Sequence, residues 1–577
     1  MNSCRSLPRM RLALAALAAD ASASLLAGNA MTPGRLVPEP PTLACLGVCW
    51  HIQGDDNHNA TGELAYRKAG KDAWRKAMPL LRVDTPGLRG GRQAQPMLAG
   101  SVFGLEPGTD YELKARIADP DGGEAEQTIR QRTRSEPRTP PGARELHLAP
   151  GAGGGAGTRA DPFKGFAAAR GALRPGDLLL VHPGVYKGPI HLTASGEPGR
   201  PITFRGAGGG EAIIEGDWEA EGEGDAFVIY GTRHLIFEGL TLRNAYRGFH
   251  ANGCQDITVR RCTIARCRFG IRAIDARSPA RDFTISDNTI ASTAAWPRTK
   301  GIEDIEGVEI NGTGHAICHN RITNCGDCVS FRDPASASDV YNNILEAATD
   351  DAIELDETTH NARAFANRIT DCHMGISTQP VWGGPAYIVR NALYNTVGSP
   401  LKLHNEPSGI VILHNTSIKS GQALESWTRS LRNVRARNNL FLGTERYAFE
   451  LGSGRGEIEV ANLDFDHNGY SKSADPTRFM KLGDARYASL EELRDKAGME
   501  RHGVIVALDI FAAKPSFPVP SARHEPPDLR LRAGSSACDA GQVLPNINDA
   551  FHGKAPDLGA HELGDPLPHY GPRPKKD

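Results

Sequence analysis

Asn367-Arg368-Ile369 and Asn391-Ala392-Leu393 lie 24 residues apart and carry one signature, asparagine-x-apolar. It returns at Asn288-Thr289-Ile290, Asn320-Arg321-Ile322, Asn342-Asn343-Ile344 and Asn438-Asn439-Leu440, and His414-Asn415-Thr416 fills the remaining interval. From Asn320 onward the successive spacings are 22, 25 and 24. A period of that length, with one polar and several β-branched positions, predicts a solenoid in which each repeat is one turn. Stacked asparagines complete the hydrogen bonds of a turn, so they are read as structural and not catalytic.

The repeat aligns side chains between turns. Small-apolar-x recurs as Gly270-Ile271-Arg272, Gly307-Val308-Glu309, Cys328-Val329-Ser330, Ala352-Ile353-Glu354, Gly375-Ile376-Ser377, Pro400-Leu401-Lys402 and Ala423-Leu424-Glu425. One outward column therefore runs Arg272, Glu309, Ser330, Glu354, Ser377, Lys402, Glu425. A second, two residues later, runs Ile274, Asn311, Arg332, Asp356, Gln379, His404, Trp427. Turns stack about 4.8 Å apart, which places Glu354 about 9.6 Å from Glu309 and from Lys402.

The densest charge is Thr349-Asp350-Asp351-Ala352-Ile353-Glu354-Leu355-Asp356. In a strand Glu354 and Asp356 share one face while Ile353 and Leu355 turn inward. Four carboxylates so close require a cation, a proton or a basic partner. Asp327 falls one turn before Asp351, and Arg332 is expected beside Asp356. The bland readings are a Lys402–Glu425 pair, His404 and His414 as turn residues, Arg390 as a structural partner of acids, and Trp382 as a loop staple.

With a net charge of -2, nothing suggests a nucleic-acid binder. Arg5, Arg9 and Arg11 precede Leu12–Ala19 and a small-residue stretch, so residues 1–30 read as an export signal and the chain as secreted or periplasmic. No other segment could span a membrane, and the protein is read as monomeric. Export permits disulfides, and Cys45 and Cys49 could pair. The cysteines inside the repeat, Cys325 and Cys328 included, suit small core positions.

Two resemblances extend this reading. Gly104-Leu105-Glu106-Pro107-Gly108-Thr109-Asp110-Tyr111 resembles the corner of fibronectin type III domains, implying an accessory β-sandwich over 40–137 whose tyrosine hydroxyl locks a sheet corner. The order Asp161-Pro162, Pro175-Gly176-Asp177, Gly184-Val185-Tyr186 and Gly196-Glu197-Pro198-Gly199-Arg200-Pro201-Ile202-Thr203-Phe204 resembles the start of secreted polysaccharide lyases. It implies an all-β, right-handed parallel β-helix over 145–445, opened by a cap helix. A C-terminal cap over 446–565 and a mobile tail over 566–577 complete the expected organisation.

Asp327, then Thr349-Asp350-Asp351-Ala352-Ile353-Glu354, then Ser399-Pro400-Leu401-Lys402-Leu403-His404 resembles the motif order of calcium-dependent pectate lyases with a lysine base. Glu354 replaces the family's last aspartate and His404-Asn405 its glycines. The resemblance implies calcium on Asp327, Asp350, Asp351 and Glu354, and Lys402 removing the proton alpha to a uronate carboxylate. Arg332, Gln379, Trp382, Arg390 and His404 would hold an acidic polysaccharide. Polygalacturonases carry similar turns, and an inverting hydrolase would instead use carboxylates such as Glu309, Glu354 and Asp356. A uronate epimerase or a glycan-binding adhesin would keep the same solenoid.

Overall fold

A computed structural model describes residues 28–71, 73–83, 95–445, 447–451 and 459–575. The expected export signal lies almost wholly outside them. None of the described helices is long and apolar enough to cross a membrane.

Two four-stranded antiparallel sheets come first. One orders Thr32–Pro38, Leu46–Gln53, Met97–Val102 and Leu81–Val83; the other orders Arg75–Lys76, Thr61–Lys68, Asp110–Ala118 and Glu124–Arg132. Alternation decides their faces. Leu64, Tyr66, Leu113, Ala115 and Ile117 turn inward around the fully buried Trp50, and the residues between them face out. The Tyr111 hydroxyl accepts from the Glu106 N–H at 3.0 Å, tying down the bend between them. Cys45 and Cys49 are separate buried thiols, so the pairing considered for them is not made.

The remainder coils into three long parallel sheets of 14, 13 and 9 strands. One turn contributes one strand to each, as in Asp339–Tyr341, Ile344–Glu346 and Asp351–Glu354, then Ala362–Phe365, Arg368–Cys372 and Met374–Ser377. Parallel crossovers of this kind are right-handed. The interior is made of registered apolar files: Ile317, Val340, Ala364, Ile388, Ile412 on one wall and Ile322, Leu345, Ile369, Leu393 on the next. Each large member contributes roughly 1.5–3 kcal/mol by its burial. Cys325, Cys328 and Cys372 fill narrow positions of the same core.

The asparagine ladder is real, but two of its members are corrected. The buried amides that stack are Asn288, Asn320, Asn343, Asn367, Asn391, Asn415, Asn439 and Asn468. Asn342 and Asn438 are the residues before them. Each ladder asparagine follows one left-handed residue: Asp287, His319, Asn342, Ala366, Arg390, His414, Asn438 and His467, with φ between 51° and 60°. Asparagine tolerates that conformation, so in an Asn-Asn pair either residue could be the stacked one. The geometry also removes Arg390 from the substrate-binding set: it is the turn residue before Asn391, and it donates to Ala560 O and Ile547 O of the C-terminal segment.

Both ends differ from expectation. The cap helix is a single turn, Phe166–Ala169, because Phe163–Lys164 pairs as a strand with Leu148 and Ala149 and Gly165 takes φ 84°. Phe166 still covers the open end, against Tyr186, Phe204 and Phe227. The solenoid also continues past 445, through Glu459–Asp466, Gly469–Ser471 and Val504–Val506. A helix, Leu490–Ala497, capped by Ser489, inserts before its last strand. The tail expected to be mobile from Pro566 is held: Arg573 pairs with Asp287 at 2.8 Å and Glu136 at 3.1 Å.

The ladder gives a direct test. Asn367 donates to Val340 O and Asn391 Oδ1 and accepts from the Asn343 backbone and side chain. Asn367→Ala strands those buried groups and is expected to cost about 3 kcal/mol in urea unfolding. Asn342→Ala loses a left-handed preference and one long contact to His319 Nε2 at 3.4 Å, about 1 kcal/mol. Equal losses would contradict the corrected register.

Candidate functional site

The nine-stranded sheet presents the charged face. Its pairing carries the outward column through Arg272, Glu309, Ser330, Glu354, Ser377 and Lys402, the order the repeat implies. Asn311 pairs with Arg332 in the second column. A third column lies three residues earlier: Glu306 pairs with Asp327, and Asp351 opens the strand of the following turn. These side chains lie deep in the face. Glu306, Glu309, Asp327, Asp350, Asp351, Glu354, Asp356 and Lys402 are all less than a tenth exposed.

Two clusters form on this face. In the first, Asp327, Asp350 and Asp351 each bring a carboxylate oxygen within 4.8 Å of the others. Backbone pairing sets this up, since Asp350 N donates to Gly326 O and Asp351 N to Asp327 Oδ1 at 2.7 Å. Lys402 Nζ reaches Asp351 Oδ2 at 2.7 Å. Arg298 Nη1 reaches Asp350 Oδ1 at 3.0 Å, and its other arm contacts His373 Nε2. Asp351 Oδ1 is buried with no partner. Such an oxygen beside two further carboxylates suits a hard, oxygen-seeking cation, so the trio fits calcium.

The second cluster surrounds Arg332. Its guanidinium meets Glu354 at 2.6 Å, Glu309 at 3.2 Å and Glu306 at 3.6 Å. Arg332 is therefore committed to three glutamates, not to Asp356, which accepts from Ser377 Oγ at 2.7 Å and Gln379 N at 2.6 Å. Glu354 also accepts from Ser330 Oγ. It stands outside the aspartate trio, which corrects its assignment as a metal ligand. Although Glu309 and Glu354 are two strands apart, they converge on one guanidinium and do not face each other across open space.

Burial governs the proton affinities. It pushes Glu306 well above the usual carboxylate range, with the charge of Glu354 adding to it. Asp327 and Asp351 are raised in the same way, by burial first and then by neighbouring acids. Asp350 rises less because Lys402 and Arg298 oppose its burial. Asp356 is pushed up to about 7 by burial and by Glu354. For Lys402, burial works against the charged form, but the ion pair with Asp351 outweighs it and holds the amine protonated. His404 beside Lys402 is lowered to about 4, again mainly by burial. Trp382, expected on a loop, begins the strand Trp382–Val389.

Three residues of the site escaped sequence reasoning. Glu306 had a signal, because it precedes Glu309 by three as Asp327 precedes Ser330 and Asp351 precedes Glu354. Arg298 lies in an insertion outside the repeat, and His373 precedes its strand, so neither had a register to betray it.

With the geometry in hand, the chain can be set beside known proteins. Residues 207–417 match the family described as periplasmic copper-binding protein (NosD). Pectate lyase L of Dickeya dadantii (strain 3937) is 23% identical over 419 residues, covering 69% of this chain and 85% of that one. Pectate lyase L of Dickeya chrysanthemi is 22% identical over 415 residues with the same coverage. Among solved structures, a family 28 exopolygalacturonase of Yersinia enterocolitica aligns over 75% of this chain and 99% of its own at 12% identity and a TM-score of 0.32. The catalytic domain of a GH87 α-1,3-glucanase aligns at 12% identity and 0.39, over 82% of this chain and 90% of that one. The chain folds as a pectin-lyase-like parallel β-helix.

The acid cluster makes two predictions. Arg332→Ala leaves Glu306 and Glu354 without their arginine, Glu309 keeping Arg272 at 3.0 Å, and is expected to cost about 3–5 kcal/mol in chemical unfolding. A loss below about 1 kcal/mol would mean that Arg332 is free for substrate. The raised carboxylates bind protons in the folded state that the unfolded chain has released, so their contribution falls as pH rises above the ordinary carboxylate range. Thermal melts at pH 5 and 8 should therefore show a smaller decline for Glu306→Gln than for the parent; equal declines would contradict the burial of that charge.

Proposed function

We propose that this protein is a carbohydrate-active enzyme, exported from the cytoplasm, that cleaves a uronate-containing polysaccharide by β-elimination with Lys402 as the base. One observation carries the reading: the Lys402 amine sits on Asp351, at the edge of a nest of three buried carboxylates with one unpartnered oxygen. The two pectate lyases matched over 69% of the chain support the reaction class.

Asp327, Asp350 and Asp351 would hold a calcium ion. Bound there, calcium supplies positive charge for the substrate carboxylate and for the negative charge that develops beside it. Lys402 in its ion pair is an acid, not a base. It can accept a proton only when the charge of Asp351 is engaged elsewhere, and Asp351 Oδ1 is the atom free to do so. The burial that opposes the charged amine then favours the neutral form. Lys402 takes the proton alpha to the uronate carboxylate, that electron pair forms the double bond to the neighbouring carbon, and the sugar oxygen there leaves with the C–O pair and takes a proton from water. Gln379, Trp382 and His404, beyond the same strand ends, are proposed to line the sugar path.

Asp356 favours a second reading. A buried acid pushed up to about 7, two residues from Glu354, suits the proton donor of an inverting hydrolase. A panel of pectate, alginate, glycosaminoglycan and neutral glycans, read for unsaturated-uronate absorbance and for reducing ends, separates the two. Both signals together are expected, and Lys402→Ala should lower elimination by at least about a thousandfold. Reducing ends without absorbance, lost in Asp356→Asn, would establish hydrolysis instead. Elimination surviving Lys402→Ala would overturn the base assignment.

A further inference from the structure

A second set of metal-binding side chains lies away from the groove, where the sandwich meets the β-helix. Glu39, just after Thr32–Pro38, and Cys49, within Leu46–Gln53, come from the sandwich; His360 comes from the turn before Ala362–Phe365. Their ligand atoms lie within 4.8 Å of one another. Glu39 Oε1 accepts from His360 Nε2 at 2.8 Å and from Cys49 Sγ at 3.3 Å, and Glu39 Oε2 accepts from Asn361 Nδ2 at 2.6 Å. Glu39 and Cys49 are buried.

Strand geometry sets a second imidazole on the same face as Cys49. In Leu46–Gln53, Val48, Trp50 and Ile52 point into the sandwich core, so Cys49 and His51 share the opposite face. His51 Nδ1 and His360 Nδ1 are both buried without a hydrogen-bond partner. Leaving such a nitrogen unsatisfied costs about 1–3 kcal/mol. The thiol, carboxylate and imidazole converge on one point between the two domains, and the contact to Glu39 uses His360 Nε2.

We infer that Glu39, Cys49 and His360 form a site for a zinc-class divalent metal that clips the sandwich to the β-helix. One thiolate, one carboxylate and one imidazole make three ligands for such an ion, with the fourth position left to water. A sulfur ligand disfavours calcium, so the interface and the all-oxygen trio of the groove select different metals. On binding, the Cys49 thiol proton leaves to solvent as the metal–sulfur bond forms, and the two negative ligands neutralise the ion. The clip spans residues 39 to 360, so the metal would bind the folded chain far more tightly than the unfolded one.

The test uses the full chain stripped with chelator and reloaded with Co²⁺ as a spectroscopic probe, then with Zn²⁺. One equivalent retained per chain is expected, with a thiolate-to-cobalt charge-transfer band, and Zn²⁺ should raise the melting temperature. Cys49→Ser should abolish the band and His360→Gln should weaken retention by at least about tenfold, with both folds checked by circular dichroism. Asp351→Asn, in the groove, should leave band and retention unchanged. A wild-type chain that retains no Zn²⁺ and shows no charge-transfer band overturns the proposal without any variant. A band that survives in Cys49→Ser overturns it too, because another cysteine would then supply the sulfur.

Discussion

A file of buried amides holds this molecule in register. From Asn288 to Asn439, each side chain donates to a carbonyl of the preceding turn and to the amide oxygen of the next asparagine. Glu500 ends the file, accepting from Asn468 and Tyr470. Because both halves of every amide are committed, a turn cannot slip without stranding buried donors and acceptors. Register in turn fixes which residues face out. A one-residue shift would turn Glu354 and Lys402 into the apolar interior and Ile353 and Leu401 out onto the charged face.

That fixed spacing creates the electrostatic problem at the site. Parallel strands put equivalent positions under 5 Å apart, so acids recurring at one position must stack on one another. Two answers appear along the same face. Around Arg332, its guanidinium meets three glutamates while Arg272 also pairs with Glu309, tying four turns together. Around Asp351, Lys402 and Arg298 compensate incompletely, and one carboxylate oxygen remains without a partner. The first cluster also keeps buried oxygens without a hydrogen bond, on Glu306 and Glu309, but its charge is carried by arginine, whereas the second places a lysine against a carboxylate trio. A buried ion pair costs desolvation, so an incomplete one is an expected signature of a site built for a further charge.

Much of this was legible in the sequence, for reasons that also explain what was not. The 24-residue interval follows from the length of a turn, so the solenoid and the column from Glu309 to Lys402 could be read without coordinates. The Asn342-Asn343 ambiguity could not be resolved, because asparagine suits both the left-handed turn position and the ladder. Arg332 was misdirected toward Asp356 because a column records position and not the reach of a side chain. Arg298 was invisible, since an insertion carries no register, and Arg390 looked functional only because a basic residue on a turn resembles one on a face. The cluster of Glu39, Cys49 and His360 joins segments 300 residues apart and left no trace in spacing.

The central claim is that the aspartate trio takes a hard cation and thereby releases Lys402 from Asp351. Calorimetric titration of the chelator-treated full chain with calcium, in two buffers of different ionisation heat, measures uptake and proton release together. The account predicts one calcium per chain bound below about 1 mM, with protons released as the raised carboxylates and Lys402 give them up. Absence of binding at that concentration, or binding that survives unchanged in Asp351→Asn, would contradict it.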